Sequence, residues 1–181
     1  TSGEWGRVVG SSLSAAGIIL MTGACSGLWA DRAVLLSKMG ATGIASGREE
    51  GRLQGIRESC EGPERWFCEP KDLKEGIGSL SGWIPYLRGK YGKLRGLLYS
   101  AGICDVIPVR SQDYAGMKAL FDVNLFAAFQ VARGFLDRRN NVGRGASVVF
   151  IASISAFMGD RGISSYASSK GALISLAVSL A

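Results

Sequence analysis

At 181 residues, 47% of them apolar, the chain is long enough for one domain with a sizeable core, too short for two ordinary ones, and too apolar to be disordered. It has no histidine, which removes Ser-His-Asp and Cys-His nucleophilic sites and argues against a transition-metal centre, and its four cysteines lack CxxC spacing, so reduced thiols in a cytoplasmic protein are expected. The net charge of +6 is dispersed, without a polybasic run or a basic stripe carrying exposed aromatics, so neither a nucleic-acid surface nor a membrane surface is expected, and no apolar run approaches a membrane span.

Glycine is the compositional oddity. There are 26, and Gly51, Gly55, Gly76, Gly78, Gly82, Gly116 and Gly134 fall inside stretches that otherwise read as helices. Each costs about 1 kcal/mol relative to alanine in a helix interior, so packing rather than local propensity must hold the fold.

Residues 1–16 are small, polar and unpatterned, and read as a leading arm. Residues 17–21 form a short apolar strand, followed by Thr22-Gly23-Ala24-Cys25-Ser26-Gly27-Leu28 and a helical pattern through Met39. Strand, glycine-rich turn and helix together aim backbone N–H groups and a helix dipole at an anion, most often a dinucleotide pyrophosphate; the plain alternative is a tight turn. A second strand over 41–46 ends at Gly47-Arg48. In dinucleotide folds an acid at this point would hold both ribose hydroxyls; the guanidinium of Arg48 suits a 2′-phosphate instead, which favours NADP(H) over NAD(H), the plain alternative being a solvated arginine at a helix start.

A third strand over 65–69 leads to Asp72-Leu73 at the head of a helical region reaching Tyr91, with Pro85 expected to bend or interrupt it. Residues 94–100 form the fourth strand and run into Ala101-Gly102, small enough for a ligand to approach closely. The strongest helical periodicity spans 112–138, with Asn124 set in its apolar face as a structural anchor or a member of a polar network. Residues 146–152 read as an apolar fifth strand, interrupted only by Ser147, leading to Ser153. A last helix then opens near Ser165, with Ser164 as a candidate N-cap. Five alternations of short apolar strand and helix indicate an α/β fold, a three-layer doubly wound parallel sheet, with residues 17–181 as a single dinucleotide-binding domain.

Within the last helix Tyr166 and Lys170 stand four residues apart and so share one face. In most chains such a pair is only a surface contact. A cation fixed beside a phenol nevertheless favours its ionised form, which makes tyrosine a usable acid near neutral pH. Ser153, thirteen residues before Tyr166, supplies a hydroxyl that could hold a carbonyl oxygen.

These motifs, in this order, resemble the short-chain dehydrogenase/reductase family from Gly17 to Ala181. Thr22 to Gly27 is similar to its T-G-x-x-x-G-x-G loop, Tyr99-Ser100-Ala101-Gly102 to its N-N-A-G segment, and Tyr166 with Lys170 to its Y-x-x-x-K. Asn124 and Ser153 fall on its helix asparagine and catalytic serine. The resemblance implies hydride transfer between NAD(P)(H) and a small carbonyl or alcohol, with Tyr166 as acid–base and Ser153 orienting the carbonyl. It implies that Lys170 holds the nicotinamide ribose and that Asn124 supports a water chain behind it. Gly23, Ser26, Gly27 and Leu28 would cradle phosphates and ribose, Asp72 and Leu73 would face the adenine, and Ser100, Ala101 and Gly102 would line the cofactor. Association as a homodimer or tetramer is implied as well.

Three departures accompany the resemblance. Trp29 stands where the third loop glycine is expected, Ser100 replaces an asparagine, and the chain ends within the helix after Lys170, where family members continue with further strands and the loop that selects substrate. The fifth strand is therefore expected to keep an unpaired edge and an apolar flank open to water. A non-catalytic nucleotide-binding module, or an inactive fragment of such an enzyme, is the competing expectation.

Overall fold

Each of five short apolar segments is followed by a helix that carries the chain back to the same end of a sheet, so the strands run parallel. The computed structural model describes residues 17–25 and 28–181, with residues 28–30 described through their backbone alone. The elements are β1 (Ile18–Thr22), α1 (Leu28–Lys38), β2 (Thr42–Gly47), α2 (Glu50–Ser59), β3 (Trp66–Pro70), α3 (Leu80–Tyr91), β4 (Leu94–Tyr99), α4 (Tyr114–Leu136), β5 (Ser147–Phe150) and α5 (Ser164–Leu180). The strand order is β3-β2-β1-β4-β5, all pairs parallel, and helices cover both faces. This is the expected doubly wound α/β architecture.

The period-two alternation of strand side chains builds the two cores. Met21 and Ala45 point to one face with Ala33, Leu53 and Trp66, under α1 and α2. Their chain neighbours Leu20 and Ile44 point to the other face with Leu97, Ile84, Val131, Phe135 and Leu173, under α3, α4 and α5. Burying chains of this size stabilises the fold by roughly 1.5–3 kcal/mol each, which offsets the weak propensity of the glycine-rich helices.

Several local expectations change. The helical region expected from Asp72 begins only at Leu80, after a 3₁₀ turn at Ile77–Ser79; Asp72 instead closes a turn, its Oδ1 accepting from Lys74 N at 2.9 Å. Pro85 does not interrupt α3, which runs from Leu80 to Tyr91 with Pro85 inside and exposed. A proline leaves the carbonyl four residues earlier without its helix donor, and here that carbonyl, Ser81 O, is turned against Gly134 of α4. A Cβ on Gly134 would lie 2.5 Å from Ser81 O and 2.8 Å from Ile84 Cγ1, so this glycine lets the two helices approach closely. Ser164 is the first residue of α5 rather than its N-cap; Ile163 occupies that position and provides no side-chain cap.

The long central helix α4 carries a π turn over Asp122–Phe126, flanked by α-helical Tyr114–Phe121 and Ala127–Leu136. Asp113 caps its start, accepting from Gly116 N at 2.7 Å, and the buried amides of Asn140 and Asn141 donate to Gly134 O and Phe135 O at its end, both at 2.8 Å. By length and mean hydropathy (1.3 over its apolar window) α4 could cross a membrane, yet half of that window is buried inside the protein, as in a core helix.

At the sheet's far edge β5 pairs only with β4 among the described residues. Its side chains are half exposed, Val149 at 48%, and its expected run over 146–152 shortens to four residues. A groove of about 700 Å³ follows this edge, lined by Phe135, Leu136, Val148, Phe150 and Leu180. The groove lies apart from the crevice described next.

Candidate active site

In an open parallel sheet, loops diverge at the carboxyl ends of strands where the strand order reverses. Here that point lies between β1 and β4, and a cavity of about 190 Å³ opens there. Gly23, Gly47, Arg48, Asp72, Leu73, Ser100, Ala101 and Gly102 all line it. Gly23 has φ of 72° and lies so close to the end of β4 that a Cβ would sit 2.7 Å from Ala101 Cα, so only glycine keeps this floor thin. Ser26 and Gly27 lie outside the described residues, as do the side chains of Leu28 and Trp29.

Thr22 ties the two central strands together at this floor. Its Oγ1 accepts from the backbone N–H of Ser100 and Ala101 at 3.3 and 3.4 Å, while its carbonyl accepts from the Ser100 hydroxyl. Ser100 thus stitches β4 to β1 at the position where an asparagine was expected. The wall that follows β2 is charged and largely exposed. Besides Arg48 it carries Arg52, Lys71, Lys74 and Glu49. Arg52 pairs with Glu49 at 2.9 Å and donates to Cys25 O at 3.4 Å.

The second group of residues gathers just beyond Gly102. A Cβ on Gly102 would stand 3.3 Å from both Asn124 Oδ1 and Lys170 Nζ, so this exposed glycine joins the cavity to the buried polar cluster. Lys170 is 4% exposed, and its ammonium donates to Ile151 O, just past β5, at 2.7 Å. Burial lowers its pKa. The same ammonium lies 5.8 Å from the centre of the Tyr166 ring, so the two share one face of α5. Asn124, fully buried on the π turn, accepts from Ile103 N at 2.8 Å and donates to Ile103 O and to Ser169 Oγ, both at 2.9 Å. Tyr99 braces the same turn from below, donating to Val123 O at 2.6 Å; its complete burial raises its pKa.

Ser153 begins the turn after β5. Its Oγ lies 2.9 Å from Ser155 Oγ and accepts from Ser155 N at 3.2 Å. Ser169 was not singled out from the sequence, because nothing local distinguishes it from its serine neighbours.

A sequence profile of the family described as short chain dehydrogenase matches residues 17–181. The chain belongs to that family. Among curated relatives, a 3-oxoacyl-(acyl-carrier-protein) reductase from Rickettsia conorii is 32% identical over 165 residues, covering 89% of this chain and 64% of its own length. An uncharacterized oxidoreductase from Escherichia coli K12 is 31% identical over 162 residues, covering 84% of this chain and 62% of its own. A short chain dehydrogenase from Escherichia coli CFT073, solved in complex with NADPH, superposes with a TM-score of 0.80 at 27% identity, over 91% of this chain and 70% of that one. The chain therefore spans a little under two thirds of the length of these two curated relatives.

The residues present fit a nicotinamide dinucleotide. The thin glycine floor and the cationic wall around Arg48 suit an anionic nucleotide, and the buried hydroxyl of Ser46, which borders the cavity, has no hydrogen-bond partner among the described residues. Within the described residues there is no cluster of side chains that could hold a metal.

Proposed function

We propose that residues 17–181 form the cofactor-binding and catalytic part of an oxidoreductase acting between NADP(H) and a carbonyl or secondary alcohol, with Tyr166 as general acid–base. The observation that carries this reading is the pairing of Tyr166 with the buried ammonium of Lys170 on one helix face, beside the small residues that follow β4. Gly23, Ser26, Gly27 and Leu28 cradle the pyrophosphate, Asp72 and Leu73 face the adenine, and Ser100, Ala101 and Gly102 line the path between. Arg48 meets a 2′-phosphate, which makes NADP(H) the preferred cofactor. Support comes from the solved relatives complexed with NADP and NADPH.

When bound, the nicotinamide supplies or accepts the hydride. The chain's own groups handle the proton and the developing charge. The Tyr166 phenol donates its proton to the substrate oxygen in reduction and takes it back in oxidation. The Ser153 hydroxyl exchanges its contact with Ser155 for a hydrogen bond to that oxygen, stabilising charge as it builds. Lys170 holds the nicotinamide ribose and keeps its positive charge beside the phenol, while Asn124 supports a water chain behind the lysine.

A ketone substrate, reduced in a cytoplasmic setting, agrees with the named activity of the Rickettsia relative and with the free cysteines. Phe126 and Phe129 on α4 and Val178 on α5 are exposed, which supports a homo-oligomer packed through these helices.

The test follows NADPH absorbance with a panel of ketones. Tyr166→Phe is expected to lose turnover by about 10²–10⁴-fold while NADPH binding is kept. Undiminished turnover in that variant would remove the proposed acid.

A further inference from the structure

The Tyr166–Lys170 pair works only if its helix is held at a set depth against the loop after β4, and α5 has no side-chain cap at its start. One contact crosses that junction at the pair itself. The Ser169 hydroxyl donates its proton to Tyr166 O at 2.7 Å and accepts from Asn124 Nδ2 at 2.9 Å. The same Asn124 amide clamps the backbone of Ile103 on both its N–H and its carbonyl. A continuous chain of hydrogen bonds therefore runs from the backbone of Tyr166, through Ser169 and Asn124, to the segment that follows Gly102. Ser169 and Asn124 are both fully buried, so losing either partner leaves the other polar group short of a hydrogen bond away from bulk solvent.

Asn124 stands on a π turn. The wide turn over Asp122–Phe126 carries one extra residue relative to an α-helical turn, displacing Asn124 from regular α-helical register, and such turns recur at functional sites. Lys170, the next residue after Ser169, is anchored separately on Ile151 O. The phenol and the ammonium are thus referred to two different strands, β4 through Ser169 and β5 through Lys170, and their relative placement depends on both anchors.

We infer that Ser169 is a positioning residue for the proposed proton transfer: it sets where Tyr166 stands relative to Lys170 and Gly102 without itself touching substrate or cofactor. This rests on the reading of Tyr166 as the acid. Small displacements of a reacting group are costly, up to about 10²-fold for roughly 1 Å, so loss of the hydroxyl should act on turnover more than on cofactor binding.

The experiment compares Ser169→Ala, Ser169→Thr and Ser169→Cys with Ser168→Ala, an exposed neighbour, in the full-length protein. Ser169→Ala is expected to lower kcat by about tenfold or more, to leave the NADPH Kd within about twofold, and to move the pH at which turnover is half-maximal. Threonine or cysteine, which keep a donor, should restore part of the loss, and Ser168→Ala should match the parent. A second readout needs no turnover: ultraviolet difference titration of the cofactor-free protein, with Tyr166→Phe as blank, should show a displaced midpoint in Ser169→Ala alone. A variant that melts earlier but keeps kcat, the pH profile and the phenol titration would reduce Ser169 to a structural hydrogen bond. If the parent reduces no carbonyl at all, the catalytic reading fails, while the titration still decides whether Ser169 positions Tyr166.

Discussion

The two ends of the crevice are built on opposite principles. Around Tyr166, the polar groups of Asn124, Ser169 and Lys170 are almost wholly removed from water, and each has partners at 2.7–2.9 Å within the protein. At the end beside β2, Arg48, Arg52 and Lys74 stand exposed, and Arg52 already leans on Glu49. The first end is assembled before any ligand arrives. The second is a solvated field of charge that a ligand must organise, and it is open to screening by salt. The contrast fits the chemistry proposed for each end, since proton transfer depends on fractions of an ångström, whereas holding a phosphate tolerates flexible cations.

The largest effect is expected where the rigid end is broken. Asn124→Leu keeps the shape of the side chain but strips Ile103 N–H, Ile103 C=O and Ser169 Oγ of a buried partner at once. Leaving such groups unsatisfied should cost about 3 kcal/mol or more in chemical denaturation. A loss below about 1 kcal/mol would mean that the network is looser than the distances imply.

At the open end, Arg48→Gln should weaken NADPH by about tenfold, the worth of one charge-assisted contact, and leave NADH nearly unchanged. Equal weakening of both cofactors would assign Arg48 to something other than a 2′-phosphate. Packing away from the crevice offers a third comparison, between glycines that look alike in sequence. Gly134→Ala must push against Ser81 O and Ile84 and should cost about 1–3 kcal/mol. Gly55→Ala meets nothing within 4 Å and should gain about 0.5–1 kcal/mol. Thermal melts of both variants measure the pair.

The smallest expected effect is read as a sign. Burial lowers the pKa of Lys170 below its unfolded value, so the charged amine destabilises the fold at neutral pH. That penalty is relieved as pH rises from the folded pKa through the unfolded one, near 10.4. The stability of the parent relative to Lys170→Met should therefore rise with pH across that window; Tyr99, whose burial acts the other way, is common to both proteins and cancels. A difference that stays flat to alkaline pH would mean that the amine is better solvated than its burial suggests.

Strand identity, order of elements and the location of the crevice were legible in the linear chain because they depend on local pattern: short apolar runs, glycine turns and one periodic helix. Tyr166 and Lys170 could be paired on paper for the same reason, since four residues on a helix is a local distance. Three features were not legible. Pro85 was expected to bend or interrupt its helix, and the uninterrupted helix was not foreseen because Gly134, which gives room to Ser81 O, lies on another helix. Asp72 passed for the head of a helix because only the turn bond to Lys74 shows otherwise. Ser169 passed unnoticed because its partner stands 45 residues away.

By itself, then, the order of residues determined which groups the chain can bring to the crevice and to the turn after β5, because residue types and their spacing along single elements carry that information. Tertiary structure alone decided how firmly those groups are held. Hydrogen bonds between β4, α4 and α5, closed across a π turn, depend on how elements distant in the chain meet in space, and no local pattern encodes that meeting.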